Sequence, residues 1–214
     1  NAYGVPADRV FLGGAGVDPR PDSRPSERRP RVLFLGRKAP SKRIDLLLTA
    51  MEHVWKERPE VELVLAGARV PMTDEVDRLL DQLPEDHKQH IRSLDDVSEE
   101  EKHELLGTSS CLVLPSPIES LAIVLLEAWA HATPVVALDL PALRTIVEPG
   151  RDGLLVPPDQ SEELAEAILT LLDDPSRAEA MGTTGREKVA RRFTWDRVAG
   201  AYLEAYEHAV GHGG

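Results

Sequence analysis

The 214-residue sequence is poor in the features that would place a protein outside the cell or within a membrane. Its single cysteine, Cys111, allows no disulfide within the chain and no cysteine-based zinc site. No apolar stretch reaches the ~20 residues that a membrane-spanning helix needs, and the first residues lack the basic-then-apolar pattern of a secretion signal. We therefore expect a protein of the reducing cytoplasm with no transmembrane segment.

Positive charge is also in the minority. Lys and Arg number 25 against 37 Asp and Glu, which gives a formal net charge of −12. A surface this acidic repels phosphate backbones and anionic lipid, which argues against nucleic-acid and membrane-surface partners unless basic residues are concentrated in one place. With 42% hydrophobic and 29% charged residues, the chain has the composition of a folded globular protein.

Residues 1–30 differ in composition from the rest of the chain. They contain five prolines, four glycines and a charged run at 20–29. Such a stretch cannot bury a core, so it predicts a linker, with one short strand at 10–12. We expect this linker to leave a preceding domain, and residues 31–214 to form a domain of their own.

From Arg31 onward, short apolar runs alternate with segments of helical period. The runs predict strands at 32–35, 61–66, around 91, and at 111–114, 134–138 and 153–156. The helical segments lie at 47–55, 74–83, 98–107, 123–130 and 161–172, with more helices up to about 210; Ser98 and Glu101 form a capping box at the start of the third. This alternation predicts an α/β fold, a Rossmann-like doubly wound parallel sheet of about six strands. Ligands of such sheets bind at the carboxyl ends of the strands.

The loop after the first strand is strongly basic. Its eight residues, 36–43, contain four cations, and the following helix, which Ser41 is predicted to cap, would point its positive end at the same place. In so acidic a chain this concentration indicates a phosphate site, although a solvated basic loop is the alternative. With Gly36 as its only glycine, the loop is neither a Walker loop nor a dinucleotide-binding turn. The four cations are Arg37, Lys38, Lys42 and Arg43.

Two glutamates follow the fourth strand. Glu119 lies in the loop after it, and Glu127 lies in a helix that is otherwise apolar all round. A buried carboxylate is costly unless it is hydrogen-bonded, so Glu127 needs partners such as backbone amides or ligand hydroxyls. The same spacing also fits a structural carboxylate that pairs internally, and both interpretations stay open on these residues alone.

The arrangement of the fourth strand, Pro115-Ser116, Glu119, seven residues and Glu127 resembles the E-x7-E region of retaining glycosyltransferases of the GT-B fold, specifically glycosyltransferase family 4. Four further segments match that family in order and at similar spacing. They are Gly16-Val17-Asp18, Gly36-Arg37 with Lys42, residues 150–158, and Phe193-Thr194-Trp195.

The resemblance implies a role for each matching position. Arg37 and Lys42 would neutralise the diphosphate of the donor, Glu127 would accept hydrogen bonds from the ribose, and Glu119 would bind the transferred sugar and act as the catalytic residue. The loop before the third predicted helix, with Val97, would hold the base. The donor-binding residues implied in this way are Gly36, Arg37, Lys42, Val97, Glu119, Ser120, Leu121, Ala122, Ile123 and Glu127.

Cations and a helix N-terminus can stabilise a leaving diphosphate without a metal ion. The chain also has no Asp-x-Asp motif, which removes the usual metal signature of the other glycosyltransferase fold. We therefore expect no metal and no cofactor.

The chain departs from the family pattern at several small residues. Ser120-Leu121-Ala122 stands where Gly-Phe-Gly is common, Arg43 stands where glycine usually follows the lysine, and Pro141-Ala142 replaces a glycine pair. Added Cβ atoms narrow the approach of a ligand to the backbone. The base and the sugar of the donor, UDP- or GDP-linked, are therefore not specified, and neither is the acceptor.

The resemblance covers only the donor-binding half of the family. We expect an enzyme fragment, the half of a hexosyltransferase that binds a nucleoside-diphosphate sugar and needs a missing N-terminal acceptor domain for transfer. Any membrane association would come from that missing domain. A non-catalytic nucleotide-sugar-binding or interaction module is the alternative. Another GT-B enzyme, such as an epimerase or a phosphorylase, fits less well because the Arg37/Lys42 and Glu119/Glu127 sets occur together.

The three tryptophans lie at core periods and are expected to be buried. They are Trp55, Trp129 and Trp195.

Overall fold

The structure, a computed structural model that describes residues 14–19 and 28–211, is built around one parallel sheet. Its strands are β1 (Arg29–Leu35), β2 (Glu62–Ala66), β3 (Ile91–Leu94), β4 (Ser109–Leu114), β5 (Val135–Leu138) and β6 (Gly153–Val156). The helices are α1 (Ile44–Glu57), α2 (Thr73–Asp81), α3 (Glu85–Lys88), α4 (Glu99–Thr108), α5 (Ile123–Ala130), α6 (Ser161–Asp173), α7 (Pro175–Arg192) and α8 (Trp195–Gly211). Within the described ranges no helix is long and apolar enough to cross a membrane.

Helices cover the sheet on both faces. Successive residues of β1 alternate between the two apolar clusters: Val32 and Phe34 belong to the cluster with α1 and α6, whereas Leu33 and Leu35 belong to the cluster with α4 and α5. Because both faces are buried, the central strands read as continuous apolar runs. The prediction of a Rossmann-like, doubly wound α/β fold is confirmed.

The strand order is β3-β2-β1-β4-β5-β6. The first three strands are added toward one edge of the sheet and the last three toward the other, so the order of addition reverses between β1 and β4. These two strands pair directly, with Val32 opposite Cys111 and Leu33 opposite Leu112. The loops that leave β1 and β4 therefore diverge to opposite faces and leave a crevice between them. This is the position at which doubly wound sheets bind ligands.

The six strands predicted from Arg31 onward and the longer predicted helices are all present, with differences at their limits. β1 begins at Arg29, three residues earlier than its apolar run, where Arg29 lies opposite Ser109. β3 extends to Leu94 because it pairs with β2 along four residues, although it is an edge strand with exposed polar side chains. The short helix α3 has no apolar period and is not predicted. The strand expected at 10–12 lies outside the described residues.

Close backbone contact locks α7 onto α5 and the segment after it. A Cβ atom on Gly185 would lie 2.1 Å from the Cδ1 atom of Trp129, and one on Gly182 would lie 1.7 Å from the carbonyl oxygen of Ala132. The Trp129 indole is fully buried, and its Nε1 donates to the carbonyl of Asp152 at 2.8 Å. The helix that carries Glu127 is therefore held rigidly from behind.

The segment 14–19 is attached to the start of α8. Val17 forms a parallel bridge with Thr194, and its N–H donates to the Phe193 carbonyl at 2.8 Å. Trp195 lies beside this bridge and is 55% exposed. The expectation of a buried Trp195 is wrong, because the start of α8 covers segment 14–19 rather than the sheet, whereas Trp55 and Trp129 are buried as expected.

The glycine contact between α7 and α5 predicts a specific sensitivity of the fold. Gly185→Ala should lower the free energy of unfolding by about 1–3 kcal/mol, since the added methyl group must displace the Trp129 ring. Gly200→Ala in α8 is the matched control, because a Cβ atom there meets nothing within 4 Å. It should raise stability by roughly 0.5–1 kcal/mol through the helix preference of alanine. Urea unfolding of both variants tests this, and equal shifts would contradict the contact.

Candidate functional site

Two adjoining cavities lie at the carboxyl edge of the sheet. The strand-end cavity, of about 230 Å³, lies between the loops after β1 and β4. The α4–α5 cavity, of about 460 Å³, lies beside those two helices and segment 14–19. Ile123, at the start of α5, lines both cavities. The strand-end cavity is lined by Phe34, Leu35, Gly36, Arg37, Lys42, Leu114, Glu119, Ala122, Ile123 and Val124. The α4–α5 cavity is lined by Gly16, Val17, Asp18, Glu99, Lys102, His103, Ile123, Glu127, Ala130, His131 and Trp195.

The loop after β1 is shaped by close backbone contact with the loop after β2. Gly36 donates its N–H to the carbonyl of Ala66 at 2.9 Å. A Cβ atom on Gly67, whose φ is +141°, would lie 2.0 Å from the Gly36 carbonyl oxygen. Only glycine allows the two loops to approach this closely. Gly67 is thus a part of the site that the sequence analysis does not identify.

The four cations of the basic loop separate into two groups. Arg37 and Lys42 line the strand-end cavity, and the exposed side chain of Arg37 has no ion-pair or hydrogen-bond partner among the described residues. Arg43 instead pairs with Asp45 at 3.1 Å and with Asp159. Only half of the predicted cation cluster is therefore available to a ligand in the cavity.

Lys38 is the fourth cation, and its side chain is completely buried. Its ammonium group contacts the carboxylate of Asp95 and donates to Ser93 Oγ at 2.8 Å. The hydrogen bond from Lys38 holds the pKa of Asp95 below its usual range. Lys38 therefore joins the loop after β1 to the loop after β3 instead of facing a ligand.

Two helices at the site begin with residues in the left-handed backbone region. The N-cap residues are Arg43 for α1, with φ 52°, and Ala122 for α5, with φ 43°. The predicted Ser41 cap is wrong, because residues 40–42 form a separate 3₁₀ turn before α1. Arg43 and Ala122 are two of the positions where the resembling family has glycine, and the left-handed conformation costs a residue with a Cβ atom about 1–2 kcal/mol.

The start of α5 points at the strand-end cavity. Ala122, Ile123 and Val124 line it, and no side chain caps the first turn of this helix. Uncapped N–H groups at a helix N-terminus favour an anion. The side chains of Ser120 and Leu121 lie elsewhere, in a neighbouring cavity of about 520 Å³ beside Phe193 and α8.

Glu119 is paired with a cation inside the strand-end cavity. Its Oε1 atom lies 2.6 Å from Lys42 Nζ, and the two side chains are only 11% and 19% exposed. Lys42 also lies 3.4 Å from the hydroxyl of Ser116, which itself donates to the Ile118 carbonyl. A carboxylate and an ammonium group thus face the same small space from opposite loops.

Glu127 lies in the α4–α5 cavity, where it contacts Lys102 of the neighbouring helix. Lys102 Nζ is 3.0 Å from Glu127 Oε1 and 2.7 Å from a carboxylate oxygen of Glu99. Burial alone would lower the pKa of Lys102, but the hydrogen bonds to Glu99 and Glu127 outweigh it and raise that pKa. The apolar helix around Glu127 predicts a deeply buried side chain. This prediction is wrong, since the Glu127 side chain is 27% exposed. Its need for a partner is met by Lys102, which the sequence analysis does not identify.

The remaining predicted position is Val97. It is partly buried against the apolar cluster that contains Leu105 and lines neither of the two cavities. A histidine pair does line the α4–α5 cavity, with His103 Nδ1 3.0 Å from His131 Nε2. No group of three or more His, Cys, Asp or Glu side chains within residues 14–19 and 28–211 could hold a metal ion.

This arrangement combines an anion site and hydroxyl-binding groups. Arg37, Lys42 and the α5 N-terminus provide positive charge in the strand-end cavity, while Glu119 and Glu127 provide carboxylates that can accept hydrogen bonds from hydroxyl groups. Because Ile123 borders both cavities, the two sets of groups adjoin each other, an arrangement that suits an elongated ligand with phosphate and hydroxyl groups.

Several solved structures share this fold. Sucrose-phosphate synthase from Thermosynechococcus elongatus superposes with a TM-score of 0.79 and 27% identity, over 92% of this chain and 52% of its own. S. aureus TarM in complex with UDP superposes with a TM-score of 0.80 and 20% identity, over 92% of this chain and 39% of its own.

Proteins of known activity are more similar in sequence. Alpha-maltose-1-phosphate synthase of Mycolicibacterium smegmatis is 36% identical over 187 residues, which cover 83% of this chain and 48% of that protein. D-inositol 3-phosphate glycosyltransferase of Kineococcus radiotolerans is 34% identical over an alignment of 234 positions, which covers 97% of this chain and 54% of that protein. The chain thus spans about half the length of these relatives. Its residues 18–188 match the family described as Glycosyl transferases group 1, and the chain therefore belongs to the group 1 glycosyltransferases.

Proposed function

We propose that this chain is the donor-binding half of a retaining, metal-independent glycosyltransferase that transfers a hexosyl group from a nucleoside-diphosphate sugar. The observation that carries the proposal is the meeting of Arg37, Lys42, Glu119 and the α5 N-terminus in one cavity. The relatives support it, because those named above are a sugar-phosphate synthase and a glycosyltransferase. A neighbour in fold, Anabaena HepE, has been solved with UDP-glucose.

In this proposal the diphosphate lies in the strand-end cavity. Breaking the bond between the sugar and the diphosphate develops negative charge on the leaving phosphate. Arg37, Lys42 and the uncapped start of α5 line this cavity, so they would stabilise the charge with little reorganisation. The donor base, UDP or GDP, and the sugar are left to experiment.

The two carboxylates take different parts of the donor. Glu119, 2.6 Å from Lys42 in the strand-end cavity, would accept hydrogen bonds from the hydroxyl groups of the transferred sugar. Glu127 lies in the adjoining α4–α5 cavity, where it would accept hydrogen bonds from the ribose on the other side of the diphosphate. Transfer itself needs an acceptor, which we propose is bound by a further domain that faces this edge of the sheet. The chain alone should bind donor and transfer poorly.

Our first prediction tests the diphosphate site by comparing two arginines of the same loop. Arg37→Ala should weaken UDP or GDP binding by about 1.5–3 kcal/mol, the range for hydrogen bonds to charged groups, which is roughly a ten- to hundredfold rise in Kd. Arg43→Ala is the matched control and should leave Kd nearly unchanged, because Arg43 is engaged by Asp45 and Asp159. Titration calorimetry with each diphosphate and its nucleoside decides between them. Equal losses in the two variants, or equal affinity for nucleoside and diphosphate, would contradict the assignment.

The second prediction separates the two glutamates by ligand. Glu127→Gln should weaken the nucleoside diphosphate and the nucleotide sugar alike, because both contain ribose. Glu119→Gln should remove much of the extra affinity that the sugar contributes, by roughly 0.5–3 kcal/mol. It should not weaken the diphosphate, since it releases Lys42 from its ion pair. Calorimetric titration of both variants with matched ligand pairs measures this, and identical ligand profiles would refute the separate roles.

A third prediction concerns metal ions. Diphosphate binding should persist in EDTA with an unchanged Kd, because the side chains of Arg37 and Lys42 supply the positive charge that a divalent ion would otherwise provide. Titration with EDTA, with Mg²⁺ and with Mn²⁺ tests this directly. A strict requirement for either ion would exclude the metal-independent mechanism.

A further inference from the structure

Lys102 occupies a distinctive position in the α4–α5 cavity. Its ammonium group lies between two carboxylates, 3.0 Å from Glu127 and 2.7 Å from Glu99. Among the described residues that line this cavity, Lys102 is the only lysine or arginine, whereas Asp18, Glu99 and Glu127 are acidic. Lys102 therefore offsets part of the negative charge that these carboxylates bring to the cavity.

A capping box holds the start of α4, the helix that carries Lys102. Ser98 and Glu101 form a capping box, with Ser98 Oγ accepting from the Glu101 N–H at 3.2 Å and Glu101 Oε2 accepting from the Ser98 N–H at 2.9 Å. Lys102 follows in the first full turn, and its side chain is only 16% exposed. Its long stem is thus packed between the helices and delivers the ammonium group to Glu127 of α5.

The contact has a consequence for the chemistry of Glu127. Lys102 engages one carboxylate oxygen, Oε1, which leaves Oε2 and the remaining lone pairs able to accept hydrogen bonds. Glu99 and Glu127 both lie within hydrogen-bond distance of the same ammonium group, so without it the two carboxylates would repel each other. Lys102 therefore confines the rotamers of Glu127 and separates its carboxylate from that of Glu99.

We propose that Lys102 is a positioning residue for Glu127, and that it sets how strongly this protein prefers a ribonucleotide over a 2′-deoxyribonucleotide. The inference rests on the proposed function, in which Glu127 accepts hydrogen bonds from ribose hydroxyls. A carboxylate held in one orientation can accept a hydrogen bond from the 2′-hydroxyl group without losing conformational entropy. A mobile carboxylate loses that entropy on binding, which reduces the binding free energy that the hydroxyl group contributes. Lys102 supplies that order before the ligand arrives.

The test is the ratio of the Kd for 2′-deoxy-UDP to that for UDP, with the corresponding guanine pair measured in parallel on the 214-residue chain. The unsubstituted protein should prefer the ribonucleotide roughly tenfold, the value of one hydrogen bond to a charged group. Glu127→Gln should reduce this preference severalfold, and Lys102→Met, which keeps the stem and removes the charge, should do the same. Lys102→Arg should retain most of the preference.

Two further variants separate positioning from a general effect of charge or stability. Lys88→Met is the matched control, because Lys88 also pairs with a glutamate three residues earlier in its helix, at 2.7 Å, but lies on α3. It should leave the ratio unchanged. In the Glu127→Gln background, Lys102→Met should cause no additional loss, since both changes remove the same interaction.

The outcomes are distinct. A Lys102→Met protein that keeps the full preference, or binds UDP more tightly than the unsubstituted chain, overturns the inference while leaving the proposed function intact. An unsubstituted chain that binds the ribonucleotide and the 2′-deoxyribonucleotide equally overturns the ribose role of Glu127 and with it the role of Lys102. A chain that binds neither UDP nor GDP overturns the proposed function itself.

Discussion

The direct pairing of β1 with β4 is the contact on which the site depends. It brings side by side two strands whose following helices cover opposite faces of the sheet, so their loops must part at the carboxyl edge. Arg37 and Lys42 come from one loop and Glu119 from the other, 77 residues beyond Lys42 in sequence. The cavity exists because of this pairing, and the side chains that fill it add charge to a gap that the topology has already made.

Charge at this edge is arranged in compensated sets within an acidic chain. Lys42 balances Glu119, Lys102 balances Glu127, and Lys38 balances Asp95. Each pair spans two different elements, so the lysines also fix loops and helices relative to one another. Charged residues can therefore be concentrated here without leaving partly buried carboxylates unpaired, which would be costly. Arg37 differs from the lysines, because its guanidinium group is exposed and forms no ion pair within residues 14–19 and 28–211.

The parts of the structure that sequence patterns predict well are those governed by local burial. Helix α5 and strand β6 begin and end at the predicted residues, because apolar runs and their breaks mark them directly. β3 is defined mainly by its pairing with β2, and its middle residues are exposed and polar. Ile91 is therefore the only residue of β3 that indicates a strand in the sequence. The Ser41 cap fails because a 3₁₀ turn intervenes before α1. The Lys102–Glu127 pair joins residues 25 apart on two helices, and no local pattern reveals which helices are neighbours.

The bridge between Val17 and Thr194 couples the α4–α5 cavity to the segment that precedes the sheet. Gly16, Val17 and Asp18 form one wall of the cavity, and Val17 is held there by backbone contacts with residues 193 and 194. For any ligand that touches this wall, occupancy of the cavity and attachment of the segment are thermodynamically linked. Because this linkage is reciprocal, detachment of the segment lowers the binding free energy of the ligand by a fixed amount. Binding of the ligand stabilises the attachment of the segment by the same amount.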